Sequence, residues 1–129
     1  MTLPVRERRR VIVAEDDQDI RLLVELRLRR AGFDVTVAAD GREALRLALS
    51  ESPDLVVLDV AMPELDGLSV LDQIRANGAT RKTPVVLLSA SVHETQVETG
   101  LQRGASAYVK KPFALDQLLA TIEQLLARR

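Results

Sequence analysis

The sequence predicts a doubly wound α/β domain: five parallel strands in the order 2-1-3-4-5, with helices on both faces of the sheet. Two observations carry this. Short apolar runs alternate with amphipathic stretches along the whole 129 residues, and regular strand–helix alternation implies parallel βαβ units. The first, third and fourth runs are continuously apolar, whereas the second and fifth are mixed. Strands covered on both faces read as unbroken apolar runs, so the second and fifth belong at the edges.

The first strand is Val11-Ile12-Val13-Ala14, and Ile20, Leu23, Val24, Leu26 and Ala31 then recur at helical spacing until Gly32. Phe33-Asp34-Val35-Thr36-Val37 alternates as a half-covered strand, and a helix follows with Ala44, Leu45, Ala48 and Leu49 on one face. Asp54 to Leu58 is the third strand, and Leu68 to Ile74 belongs to the third helix. The fourth strand is Pro84 to Leu88, followed by a weaker helix around Val97 and Leu101. Ala105 to Val109 is the last strand, and Leu115, Leu118, Leu119, Ile122, Leu125 and Leu126 mark a strongly amphipathic final helix. Residues 1–9 read as a basic leader and 10–129 as one domain, with no linker, repeat or low-complexity segment.

Composition excludes several function classes. There is no cysteine, which removes disulfide frameworks, thiolate zinc sites and cysteine nucleophiles. No apolar run approaches the ~20 residues of a membrane span, and no apolar segment follows the charges of Arg6 to Arg10 before the first strand, so a cytoplasmic location is expected. The net charge of −1 and the scarcity of aromatics (Phe33, Tyr108, Phe113) argue against nucleic-acid binding. Arg6 to Arg10 reads as a solvated leader. The sole histidine, His93, reads as a surface residue.

The polar residues fall where such a fold forms its sites, beyond the carboxyl ends of the strands at the switch point between strands one and three. Strand one ends in Glu15-Asp16-Asp17, strand three in Asp59, strand four in Ser89 and strand five in Lys110-Lys111-Pro112. Unit charges about 4 Å apart repel by roughly 4 kcal/mol at an effective dielectric of 20, so clustered carboxylates need a proton, a cation or a lysine. Hard oxygen ligands on an open site suit Mg²⁺, with Mn²⁺ as the alternative. An aspartate beside such a cation, a lysine and a hydroxyl is equipped to attack phosphorus and to stabilise the transferring oxygens.

Four segments, Val11 to Asp17, Val56 to Gly67, Pro84 to Ala90 and Gly104 to Phe113, together resemble the receiver domains of two-component response regulators, over essentially the whole chain and in that family's order. The resemblance implies a flavodoxin-like fold and a signalling module that catalyses only its own phosphorylation and dephosphorylation, rather than a metabolic enzyme. It implies Asp59 as phosphoacceptor, Asp16 as a direct metal ligand, Glu15 acting through a metal-bound water, and the backbone carbonyl of Ala61 as a further ligand. Lys111 would pair with Asp59 and then with the phosphoryl oxygens, its peptide to Pro112 cis. Ser89 would bond the phosphoryl group, and Tyr108 would change rotamer to alter the face of helix four, strand five and helix five. Asp17 and Lys110 are expected to point to solvent. Positions at which the family tunes dephosphorylation are Ala61 and Ser91, and neither carries a charge or carboxamide.

The implied partners are a histidine kinase or a histidine phosphotransfer protein, and a downstream protein or an output domain outside this sequence. A phosphorylation-linked dimer is left open. Two other readings fit the fold less well. A binding-only receiver would lack the acceptor, metal acids or lysine, and all are present. A flavin carrier would need a Ser/Thr/Gly-rich loop where Glu15-Asp16-Asp17 stand.

Overall fold

A computed structural model describes residues 8–90 and 94–128, with 94–96 described as backbone only. Ser91, His93 and the leader up to residue 7 lie outside the described residues. The chain alternates β1 (Arg10–Ala14), α1 (Gln18–Arg30), β2 (Asp34–Ala38), α2 (Gly41–Glu51), β3 (Leu55–Asp59), α3 (Gly67–Ala76), β4 (Val85–Ser89), α4 (Glu94–Gln102), β5 (Ala107–Lys110) and α5 (Leu115–Ala127). All strands pair in parallel in the order β2-β1-β3-β4-β5, as the apolar runs predict.

Alternating strand residues feed two cores, because successive side chains leave opposite faces of a sheet. Val11, Val13, Val57, Val86 and Leu88 meet α1 and α5. Ile12, Ala14, Val56, Leu58 and Leu87 meet α2 and α3. The first three helices begin on side-chain caps: Asp17 Oδ1 accepts from the Ile20 amide, Asp40 Oδ1 from Glu43 and Asp66 Oδ1 from Ser69.

Three expectations need correction. Val24 and Leu28 are the buried residues of α1, while Leu22, Leu23 and Leu26 are about half exposed. A helix turns about 100° per residue, so Leu22 and Leu26 stand opposite Val24 and Leu28, and Leu23 lies on the flank. In α2 the core takes Leu47 rather than Leu49. The last strand starts at Ala107, because Gly104 (φ +107°) turns the chain and the Ala105 amide still bonds the Gly100 carbonyl at the end of α4.

Arginines on α3 and just beyond α4 tie these two helices together. Arg75 donates from Nε to the Gly104 carbonyl at 3.0 Å and from Nη1 to the Thr83 carbonyl at 2.6 Å. Arg103 makes a two-pronged contact with the Asp72 carboxylate.

Candidate functional site

The strand tips converge on a cleft of about 580 Å³, bordered among others by Glu15, Asp16, Asp59, Ala61, Ser89 and Lys111. Glu15 is completely buried: its amide extends the sheet by one bond to the Ala38 carbonyl at 3.0 Å, which turns its side chain in over the sheet edge. Asp16, one residue on, is exposed on the rim. Asp17 points outward and caps α1, so its placement agrees with the expectation from sequence.

Asp59 closes β3 and is buried. Lys111 Nζ donates to Asp59 Oδ2 at 2.9 Å and the Ala61 amide donates to Oδ1 at 3.1 Å. The Asp17 amide donates to Glu15 Oε2 at 3.0 Å. Lys111 Nζ also lies 2.6 Å from Glu15 Oε1, but outside hydrogen-bond alignment, so this contact is ionic and Oε1 is buried without a hydrogen-bond partner. The lysine is carried there by β5: its amide donates to the Ser89 carbonyl at 2.8 Å, and its peptide to Pro112 is cis. Lys110, on the preceding position, is exposed.

The electrostatics follow from this crowding. Burial, and then a hydrogen bond with Asp59, pushes the Glu15 carboxyl up from 4.5 to about 7, against the pull of Lys111 and the Asp17 amide. Burial works against the Lys111 cation, yet Glu15 and Asp59 outweigh it and hold the lysine above its usual 10.5. One lysine thus faces three carboxylates, whose nearest oxygens on Glu15, Asp16 and Asp59 all lie within 4.8 Å of one another. Three carboxylates facing one lysine, with Glu15 Oε1 buried without a hydrogen bond, form an under-compensated all-oxygen cluster that fits a small divalent cation, the Mg²⁺ class of ligand set.

Ser89 ends β4, buried, with its backbone paired to Lys110. Tyr108 is half-buried on β5. It borders a smaller cavity of about 160 Å³ with Val60, Leu68 and Thr99, so it stands beside the acid cleft rather than in it.

Gly67 holds the loop after β3 against Asp59, a contact absent from the expectations drawn from the sequence. A Cβ on Gly67 would lie 2.3 Å from the Asp59 carbonyl oxygen, and the Gly67 amide donates to the Val60 carbonyl at 2.9 Å. Gly67→Ala is therefore expected to destabilise the fold by about 3 kcal/mol through overpacking, measured by urea denaturation. No spacing signal announces such a contact, which requires the loop to fold back on the strand.

A family model described as the response regulator receiver domain matches residues 11–123. The transcriptional regulatory protein PrrA of Mycobacterium bovis is 45% identical over 120 residues, covering 93% of this chain and 51% of that protein. The chain thus spans about half the length of this curated relative. Among solved structures, the receiver domain of the Francisella response regulator 1452 superposes with a TM-score of 0.88 at 38% identity, covering 93% of this chain and 98% of the other. The receiver domain of the sensor histidine kinase PA1611 from Pseudomonas aeruginosa superposes at 0.85 with 31% identity over 93% of this chain and 98% of its own, and it was solved with a magnesium ion in its active-site cleft.

Proposed function

This chain belongs to the response regulator receiver domain family, and from that premise we propose that Asp59 takes a phosphoryl group from a phosphohistidine on a partner protein. The chain is a receiver domain of the two-component class, a signalling module and not a metabolic enzyme. The observation that carries the proposal is the setting of Asp59: buried at a strand tip, held by Lys111 and the Ala61 amide, and open to the acid cleft.

An Asp59 carboxylate oxygen forms the new bond to phosphorus as the P–N bond to the donor imidazole breaks. The electron pair passes to the imidazole nitrogen, which takes up a proton. Lys111 Nζ, already on Oδ2, neutralises charge on the transferring oxygens, and the Ser89 hydroxyl donates to one of them. Glu15, Asp16, Asp59 and the Ala61 carbonyl would hold Mg²⁺ or Mn²⁺, with Glu15 acting through a bound water. The cation, when bound, neutralises further charge on the phosphoryl oxygens. Water later hydrolyses the acyl phosphate.

Tyr108 then changes rotamer and alters the face of α4, β5 and α5, which instructs a downstream protein or an output segment in a longer chain. The setting is the cytoplasm; no described helix is long and apolar enough to cross a membrane. Incubation with acetyl phosphate and Mg²⁺, followed by intact-mass measurement, tests the reading. One phosphoryl adduct that disappears with EDTA is expected, and no adduct at any Mg²⁺ concentration would sink it.

The surface beside the cleft supports a protein donor. A groove of about 340 Å³, lined by Ile20, Leu23, Ala90, Lys111, Pro112 and Phe113 among others, shares Ile20, Ala90 and Lys111 with the acid cleft. Leu23, which lines it, is about half exposed, and exposed apolar surface beside a cleft favours association. A donor that brings its imidazole to Asp59 must cover this groove. Leu23→Glu is accordingly expected to slow transfer from a phosphorylated histidine kinase domain by about tenfold, while labelling by acetyl phosphate stays unchanged. Radiolabel transfer assays compare the two donors, and equal slowing with both would place the defect in the acceptor site instead.

A further inference from the structure

We propose that Arg21 is a positioning residue for the metal-binding acids: its guanidinium fixes the peptide joining Glu15 to Asp16 and so keeps the Asp16 carboxylate facing Asp59. The proposal rests on the phosphoacceptor and metal reading above, in which Arg21 has no part.

In the turn from β1 into α1 the side chains of Glu15 and Asp17 are pinned and that of Asp16 is not. The Glu15 amide bonds the Ala38 carbonyl, Glu15 Oε2 accepts from the Asp17 amide at 3.0 Å, and Asp17 Oδ1 caps α1 at Ile20. Asp16, exposed on the rim, makes no side-chain hydrogen bond or ion pair with a described residue. Its direction is therefore set by the peptides on either side of it. The peptide after Asp16 is held through the Asp17 amide. The peptide before it is held through the Glu15 carbonyl, to which Arg21 Nη1 donates at 2.8 Å. Pinned on both sides, Asp16 keeps a carboxylate oxygen within 4.8 Å of those of Glu15 and Asp59.

Arg21 stands where an arginine is otherwise disfavoured. α1 carries its other arginines, Arg27, Arg29 and Arg30, in the last turn, where the helix dipole favours cations. Arg21 lies one turn from the opposite, positive end and is half-buried, and the bond to Glu15 is the only hydrogen bond of its side chain to a described residue. It does not border the acid cleft, so it acts on the acids through the backbone. Its charge makes the inference sharper. A cation near three carboxylates weakens their pull on a dication, so removing Arg21 would, on charge alone, tighten Mg²⁺ binding. Loss of positioning does the reverse, because Asp16 is then free to turn and must be ordered when the ion binds.

Calorimetric titration of the full chain with Mg²⁺ tests this on Arg21→Met, which keeps the stem and removes the donor. The dissociation constant should rise about tenfold. Arg21→Lys, which can still donate to the Glu15 carbonyl, should stay within about threefold of the unsubstituted chain. Arg30→Met, the same charge change at the exposed far end of α1, should leave the constant unchanged. In labelling by acetyl phosphate, the Mg²⁺ concentration for half-maximal rate should rise with the dissociation constant, while the rate at saturating Mg²⁺ stays within about twofold. Circular dichroism checks the fold of each variant, and Arg21→Gln, shorter and uncharged, replaces Arg21→Met if that chain does not fold. An unchanged or lower dissociation constant in the folded variant overturns the proposal. So does an unsubstituted chain that binds no Mg²⁺, and the metal reading falls with it. Mg²⁺ binding without any adduct on the unsubstituted chain overturns the phosphoacceptor reading alone, and the dissociation constants still decide the role of Arg21.

Discussion

Replacing Lys111 with methionine is expected to lower folding stability by about 3 kcal/mol in metal-free buffer at roughly pH 8 and to slow labelling by acetyl phosphate about a hundredfold. The first effect arises because Nζ lies between the carboxylates of Glu15 and Asp59, 2.6 and 2.9 Å away. Methionine keeps the length of the stem but leaves both buried carboxylates without a counter-charge. The loss depends on pH in a stated direction. Glu15 has a folded pKa raised from 4.5 to about 7, so its charged form opposes folding as pH rises through that window, and its protonated form, present below it, does not. Removing the lysine pushes Glu15 higher still. The stability gap between the two chains should therefore narrow as pH falls toward 5, where Glu15 takes up its proton in both. Urea denaturation at several pH values measures this; a gap that widens on acidification would mean that Lys111 is not the principal compensating charge.

Substitution Asp59→Asn should act oppositely on stability and on function. Asparagine can still accept from the Ala61 amide, which now bonds Oδ1 at 3.1 Å, and Lys111 remains beside Glu15. One of three mutually repelling carboxylates is gone, and the single lysine no longer has to serve two buried acids. A gain of about 1 kcal/mol in metal-free buffer is expected, the relief of repulsion outweighing the lost ion pair. Mg²⁺ should raise the melting temperature of the unsubstituted chain by mass action and raise that of Asp59→Asn much less. Thermal melts with and without Mg²⁺ check both statements. A variant that is more stable yet inert toward a phosphodonor separates the chemistry of Asp59 from any part in folding, and a strongly destabilised one would contradict the charge-crowding account.

The sheet was legible because its physics is local and additive. Continuous apolar runs at Val11 to Ala14, Val56 to Leu58 and Val85 to Leu88 read as strands covered on both faces, which puts the second and fifth strands at the edges and fits the common 2-1-3-4-5 arrangement. The helices were harder. The first carries leucines on several faces, and periodicity cannot tell which leucine meets the sheet: Leu23 and Leu26 fit the helical spacing and are nonetheless exposed, whereas Leu28, outside that spacing, is buried. Of the exposed leucines, Leu23 lines the groove beside the acid cleft, so it meets neither of the two cores.

The candidate site was legible as an inventory, since strand order brings the ends of β1, β3, β4 and β5 together. Its internal division was not. Which of Glu15, Asp16 and Asp17 turns inward came from family resemblance, and the physical reason, the bond from the Glu15 amide to Ala38, lies on a strand distant in sequence. Contacts made by backbone, such as Gly67 against Asp59 and Arg75 around Gly104, leave no mark in composition or spacing at all.

The most direct test of the account is to locate the phosphoryl group. After labelling with acetyl phosphate and Mg²⁺, peptide mass spectrometry should find it on Asp59, with no labelled peptide in Asp59→Asn. A phosphoryl group on any other residue, or labelling undiminished in that variant, would contradict it.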